Sequence, residues 1–281
     1  MIERYVEIRR TSDILYDVQE VRKATENRLR TLPKEVYGVY PTTLRKLEDM
    51  LTKRLEELLD GIPVWDHYLK DLTGVGPRIA GAIIGRIAIK YVKVDKLDGF
   101  TEVQKRYSVK RKDGIYVPVE RGIQAFPNVS KFWKYFGLHT ENGRAPRRQR
   151  GKKLGTNEFL KMMVLGRFVP TIIKLGAKGI RSKYYDLYLK MREEYRAKYS
   201  IALKDFRLCP RWKECEELLK KKAERLGRKM KEPPCLAHID AMAKRYVGKE
   251  FVKDLWVNWR KIEGLHVTPT YAEAKLGPGC R

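Results

Sequence analysis

Long apolar runs are missing from this sequence. Nothing in it approaches the length of a membrane span, and Met1-Ile2-Glu3-Arg4 opens a polar segment rather than a signal peptide. A soluble cytoplasmic protein is expected, with no membrane partner. Cysteine is sparse, four in 281 residues, which excludes a secreted disulfide framework. Asn and Gln are scarce while 34% of the residues are charged, a balance expected of a thermophilic source. Acidic residues fall well short of basic ones: 35 Asp+Glu face 61 Lys+Arg, a formal charge of +26. A surplus that large concerns partners rather than fold. It implies a polyanion, with nucleic acid ahead of an acidic membrane surface, and hence a nucleoid-associated location.

What is present centres on Leu69-Lys-Asp-Leu72-Thr73-Gly74-Val75-Gly76-Pro77-Arg78-Ile79-Ala80. Two glycines flank one apolar residue, proline follows at the first turn of a new helix, and apolar residues recur at three- and four-residue steps on both sides. The pattern predicts a helix-hairpin-helix. Gly74 and Gly76 would allow a sharp turn with positive φ, and Pro77 would start the second helix where a missing N–H costs nothing. Bare amides at a helix N-terminus bind a phosphate without reading a base, so Thr73, Gly74, Val75, Gly76 and Arg78 are candidate backbone contacts. A dinucleotide fingerprint, with Asp95 about twenty residues on, would need a buried strand before the glycines. Trp65-Asp66-His67-Tyr68 is too polar for one. An ordinary tight helix-helix turn is the bland alternative.

Upstream, Ser12 reads as a cap and Ile14, Val18, Val21, Thr25, Leu29 and Leu32 as one apolar stripe on a long helix. After a break from Pro33 to Pro41, a second stripe runs through Leu44, Leu47, Leu51, Leu55, Leu58 and Ile62. The two helices are expected to pair antiparallel as an arm, a packing element or a route to a homo-oligomer. Downstream, the second hairpin helix is expected to run through Ile87 and Ile89 toward Tyr91. Strand-forming residues on either side of Asp113-Gly114 then predict a β-hairpin with Lys110, Arg111 and Lys112 near its tip, able to probe a groove or simply solvated.

Arg144, Arg147, Arg148, Arg150, Lys152 and Lys153 fall within ten residues that hold no acid, and Pro146 and Gly151 oppose a stable helix. This stretch reads as a flexible strap that orders on phosphate. Tyr184, Tyr185, Tyr188, Tyr195 and Tyr199 lie at helical spacing, which suits packing more than stacking on bases. In the last third, Cys209, Cys215, Cys235 and His238 make up a tetrahedral zinc set, structural because four protein ligands leave no place for water. Reduced buried thiols, or a Cys209–Cys215 disulfide, are the alternatives. A long amphipathic helix from His238 to Trp259 follows, then a tail without periodicity.

The order of these parts, with Tyr135-Phe136-Gly137-Leu138, Gly151-Lys-Lys-Leu-Gly155-x-Asn157-x-x-Leu160 and the closing Cys-x-x-His-Ile-Asp-Ala-Met-Ala-Lys-Arg-Tyr helix, resembles a family. It is that of the insertion-sequence transposases that join a RuvC-like DEDD domain to a serine-bearing helix-hairpin-helix domain. Only the coiled-coil and C-terminal part is matched, in an archaeal-type form. No apolar strand bearing Asp precedes the arm, so the nuclease half is expected to be absent. The loop where the resemblance would place a serine nucleophile reads His139-Thr140-Glu141-Asn142-Gly143, in which Thr140 is the one hydroxyl and His139 its adjacent base candidate.

The expectation is a mainly α fold with a helical arm, a helix-hairpin-helix core, one small β-hairpin insertion and C-terminal helices with a zinc site. The segments are an arm at 1–66, a DNA-binding domain at 67–200 with the β-hairpin at about 105–120 and the basic loop at 143–153, a zinc-binding segment at 201–265 and a tail at 266–281. The expected function is DNA binding in transposition or recombination without a nuclease centre of its own. The alternatives are an active recombinase subunit that uses Thr140 or a partner nuclease, and an RNA-binding scaffold.

Overall fold

The computed structural model describes residues 1–30, 39–141, 145–146, 151, 155–205, 208, 212–227 and 234–269. Helix α1 (Ile2–Leu29) starts ten residues before Ser12, which sits mid-helix and buried rather than at a cap. The face it buries carries Val6, Ile8, Ser12 and Leu15, whereas Ile14 and Val21 of the expected stripe are exposed. Heptad-like spacing alone did not say which of two apolar lines meets the core. Helix α2 (Val39–Leu59) runs antiparallel to α1, as the ties between them show. Glu7 pairs with Arg54 at 3.2 Å, Arg22 with Glu48, and Glu26 with Arg45 at 2.9 Å.

A single π-helical turn, Trp65–Leu69, leads through the hairpin to α3 (Pro77–Ile87). From Ala80 to Ile87 every residue of α3 is buried. Where α1 crosses it, a Cβ on Gly85 would lie 2.8 Å from the Arg9 Cα, so glycine is what permits the two backbones to touch. Helix α3 stops at Ile87 and does not continue toward Tyr91. Residues Ile89–Val94 instead form strand β1, because Ile89-Lys-Tyr-Val-Lys-Val alternates in strand fashion and finds a partner in β3. A short helix α4 (Glu102–Arg106), opened by a Thr101–Gln104 capping box, precedes β2 (Val109–Arg111) and β3 (Gly114–Glu120). The sheet order is β1-β3-β2, all antiparallel. Arg111 pairs with Gly114, so the turn residues are Lys112 and Asp113, one step earlier than the Asp-Gly signal implies.

Helix α5 (Val129–Tyr135) is capped by Asn128, and α6 (Glu158–Met162) by Asn157. From α6 the chain passes without a break through a π-helical stretch, Met163–Phe168, into α7 (Val169–Ala177). Pro170 explains the widening: it has no N–H for the Gly166 carbonyl and its ring collides with that carbonyl. Helices α8 (Lys183–Lys198), α9 (Ser200–Lys204), α10 (Trp212–Leu226) and α11 (Pro234–Ile262) complete the order. Helix α11 buries Ile239, Ala243, Val247, Phe251, Leu255 and Trp259 at four-residue steps. Phe251 stacks on Phe168 at 4.0 Å between centroids, and Tyr184 meets both rings edge-on. One hydrophobic cluster extends from Ile8 of α1 to Trp259 of α11. The protein is therefore mainly helical with one small sheet, and among the described residues no helix is long and apolar enough to cross a membrane.

Candidate nucleic-acid interface

The corner forms because two requirements coincide at Gly74. The Val75 N–H closes on the Leu72 carbonyl at 2.9 Å, which puts Gly74 at the third position of the turn with φ +84. A Cβ there would also lie 2.6 Å from Ile172 Cδ1. Gly76 differs from expectation: its φ of −111 and ψ of −179 are extended backbone open to any residue, and nothing lies within 4 Å of a Cβ built on it. It serves as the N-cap of α3, with Pro77 at the first turn as the sequence predicts. Val75, a candidate contact, is buried and anchors the turn in the core. Thr73, Gly74 and Gly76 stay partly exposed. Among the described residues no acceptor takes the N–H of Gly76 or Arg78.

These amides open onto a cleft of about 380 Å³. Helix α1 lines it through Ser12, Tyr16 and Gln19, and the continuous helix from α6 to α7 lines it through Met163, Arg167 and Thr171. The Ser12 side of the cleft is deep, since this residue is only 3% exposed, and among the described residues its hydroxyl has no hydrogen-bond partner. Arg78, expected as a phosphate contact, is largely engaged within the protein: Nε donates to Thr52 Oγ1 at 2.8 Å, and the fork faces Glu48 at 3.3 Å and Asp49 at 3.5 Å. Glu48 is buried and also receives Arg22, so one carboxylate ties α1, α2 and the hairpin together. Sequence reasoning missed this, because a glutamate in a charge-rich helix carries no mark of burial. Arg167 pairs at 3.6 Å with Glu20 across the cleft and keeps a third of its side chain exposed.

The strap cations Arg144, Arg147, Arg148, Arg150, Lys152 and Lys153 lie outside the described residues, but both roots of the strap are in view. At its start, Arg245 of α11 donates to the His139 carbonyl at 2.7 Å. At its end, the Asn157 N–H bonds the Tyr135 carbonyl at 2.8 Å, and its amide reaches the Tyr135 hydroxyl at 3.1 Å. That hydroxyl donates to the Arg86 carbonyl and accepts from Arg121, each at 3.0 Å. The two motifs around Tyr135 and Asn157 thus meet in one polar knot. From Asn157 to Met163 in the cleft wall is six helical residues, about 9 Å. Phe159, on the way, meets the cleft residue Tyr16 edge-on at 5.2 Å.

Lys110, Arg111 and Lys112 are exposed at the β2–β3 tip, with Arg111 over the Tyr116 ring at 4.8 Å. The sheet begins at the C-terminal end of α3 and the corner lies at its N-terminal end, so the structure does not gather tip and corner into one patch. Thr140 is exposed, but the imidazole beside it is turned away: His139 Nε2 lies 3.1 Å from Glu141 Oε1, and among the described residues its buried Nδ1 has no partner. Among the described residues no base is aligned on the Thr140 hydroxyl. The tyrosines of α8 pack. Tyr184 donates to Asp254 at 2.9 Å and Tyr188 to Asp240 at 2.6 Å. Burial first, then neighbouring Tyr68 and Asp254, raises the Tyr184 phenol far above its ordinary value. Cys209 lies outside the described residues, Cys215 and Cys235 are placed only as backbone positions on α10 and α11, and His238 is on α11. Among the described residues no three His, Cys, Asp or Glu side chains cluster as metal ligands.

Compared with protein-family models, with curated proteins and with solved structures, the chain matches none.

Proposed function

We propose that this protein holds the sugar–phosphate backbone of DNA through the Gly74–Gly76 corner and the cationic strap from Arg144 to Lys153, and that it acts in transposition or recombination without cutting. One observation carries the reading: the amides at the N-terminus of α3, without a partner among the described residues, border an open cleft whose lining continues through Met163 toward the root of the strap. An N-terminal helix end concentrates partial positive charge on those amides, and a chain at +26 adds a long-range attraction for a polyanion. The relation to the insertion-sequence transposases is part of the proposal and rests on the motif order. A recombinase that uses Thr140 is not favoured, since His139 is engaged elsewhere. A structural zinc on Cys209, Cys215, Cys235 and His238 belongs to the same reading.

The test uses Gly76→Val, which the extended backbone and open space at this position accept without strain. Affinity for unrelated duplex sequences should fall alike, with folding unchanged; an effect on one sequence alone would refute a backbone clamp. Supercoiled and branched DNA with Mg²⁺ should shift without nicking, and a covalent adduct lost in Thr140→Ala would overturn the reading. Competition in which matched RNA duplex displaces DNA would move the assignment to RNA.

A further inference from the structure

The cleft beside the corner has more in it than a phosphate site needs. Its volume, about 380 Å³, is near the lower end of small-molecule sites, which run from roughly 300 to 1,000 Å³. That is room for one nucleoside and none for a duplex. Its lining is mostly apolar and includes Leu15, Tyr16, Ile79 and Met163. A backbone clamp would gain nothing from an apolar recess. Ser12, a residue only 3% exposed, lines the cleft, and among the described residues its hydroxyl has no hydrogen-bond partner. Gln19, Thr171 and Arg167 add polar groups to the lining, which also takes in Gly76 and Arg78, whose amides have no partner among the described residues.

We infer that the cleft takes up a single unpaired nucleotide from otherwise paired DNA. Its phosphate sits on the Gly76 and Arg78 amides, its base lies against Tyr16, and the base edge meets the hydroxyl of Ser12. This deepens the backbone-clamp reading and rests on it: the protein would select duplexes that carry a bulge, flap or junction. A base already out of the stack is the natural guest, because the energy of unstacking has been spent before the protein arrives.

The experiment compares three DNA duplexes of one flanking sequence: fully paired, with a single bulged thymine, and with a bulged abasic residue. The bulged thymine should bind about tenfold tighter than the paired duplex, the scale of one base–aromatic contact. The abasic bulge should bind no better than the paired duplex, and permanganate should react more slowly with the bulged thymine in the complex. Ser12→Ala, which leaves packing intact, should lower the preference for the bulge while leaving paired-duplex affinity unchanged. Gln19→Trp, on a half-exposed position of α1, should block the cleft and abolish the preference for the bulge. Paired duplex bound as tightly as the bulge, or abasic and thymine bulges bound alike, overturns the inference and leaves the clamp standing. A protein that binds none of the three overturns both.

Discussion

Gly74→Ala measures how firmly the corner is built. Two separate penalties apply. The new residue must hold φ near +84, in the left-handed region that costs an L-residue about 1–2 kcal/mol. Its Cβ must also displace Ile172 Cδ1, which would be 2.6 Å away on a side chain 1% exposed and so without free space to retreat into. Overpacking of that kind costs about 1–3 kcal/mol. The sum is about 2–5 kcal/mol, read as a lower midpoint in urea denaturation. Gly76→Ala is the control, expected within about 0.5 kcal/mol of the parent because neither penalty exists there. The parts can be separated with Ile172→Val, which deletes the clashing methyl and alone costs about 0.5–1.5 kcal/mol. The double variant should be more stable than the sum of the singles by about 1 kcal/mol, leaving the φ penalty behind. If Gly74→Ala and Gly76→Ala are equally tolerated, the turn geometry assigned here is wrong.

Tyr135→Phe removes the hydroxyl that joins Arg86, Arg121 and Asn157, and should destabilise the protein by about 1–3 kcal/mol because the partly buried partners lose their acceptor or donor together. Burial pushes the Tyr68 phenol up to about 12. Its folded-state pKa lies above the unfolded one, so its contribution to stability is intact below pH 10 and is lost as the pH climbs toward 12; tyrosinate absorbance from this residue should appear only as the protein unfolds. Metal analysis of purified protein should find one zinc per chain, and a substoichiometric content would remove the zinc proposal.

How far the sequence could be read depended on whether a feature is local. The corner is: Gly-Val-Gly-Pro, with Pro77 at the first helical turn, encodes its own geometry, although only Gly74 takes positive φ. The β2–β3 hairpin was legible for the same reason, off by one residue in its turn. Strand β1 was not, because Ile89-Lys-Tyr-Val-Lys-Val follows a helix directly and becomes a strand only through pairing with β3, more than twenty residues on. The face of α1 was misread because both Ile14-Val18-Val21 and Val6-Ile8-Leu15 are apolar, and the choice between them is made by α3, through Gly85. The cleft itself was invisible. It needs Ser12, Gly76 and Thr171 side by side, and no short-range pattern links residues that far apart in the chain.

The backbone contact between Arg9 and Gly85 acts as a fulcrum for α1. Ser12, Tyr16 and Gln19 lie one to three turns beyond it, on the lever arm, so the aperture of the cleft is set by the angle of a single rod pinned near one end. The Arg22–Glu48 tie holds that rod again farther along. Between two pins the gap has a fixed width, and the protein meets its guest with a gauge already cut to size rather than with jaws that close.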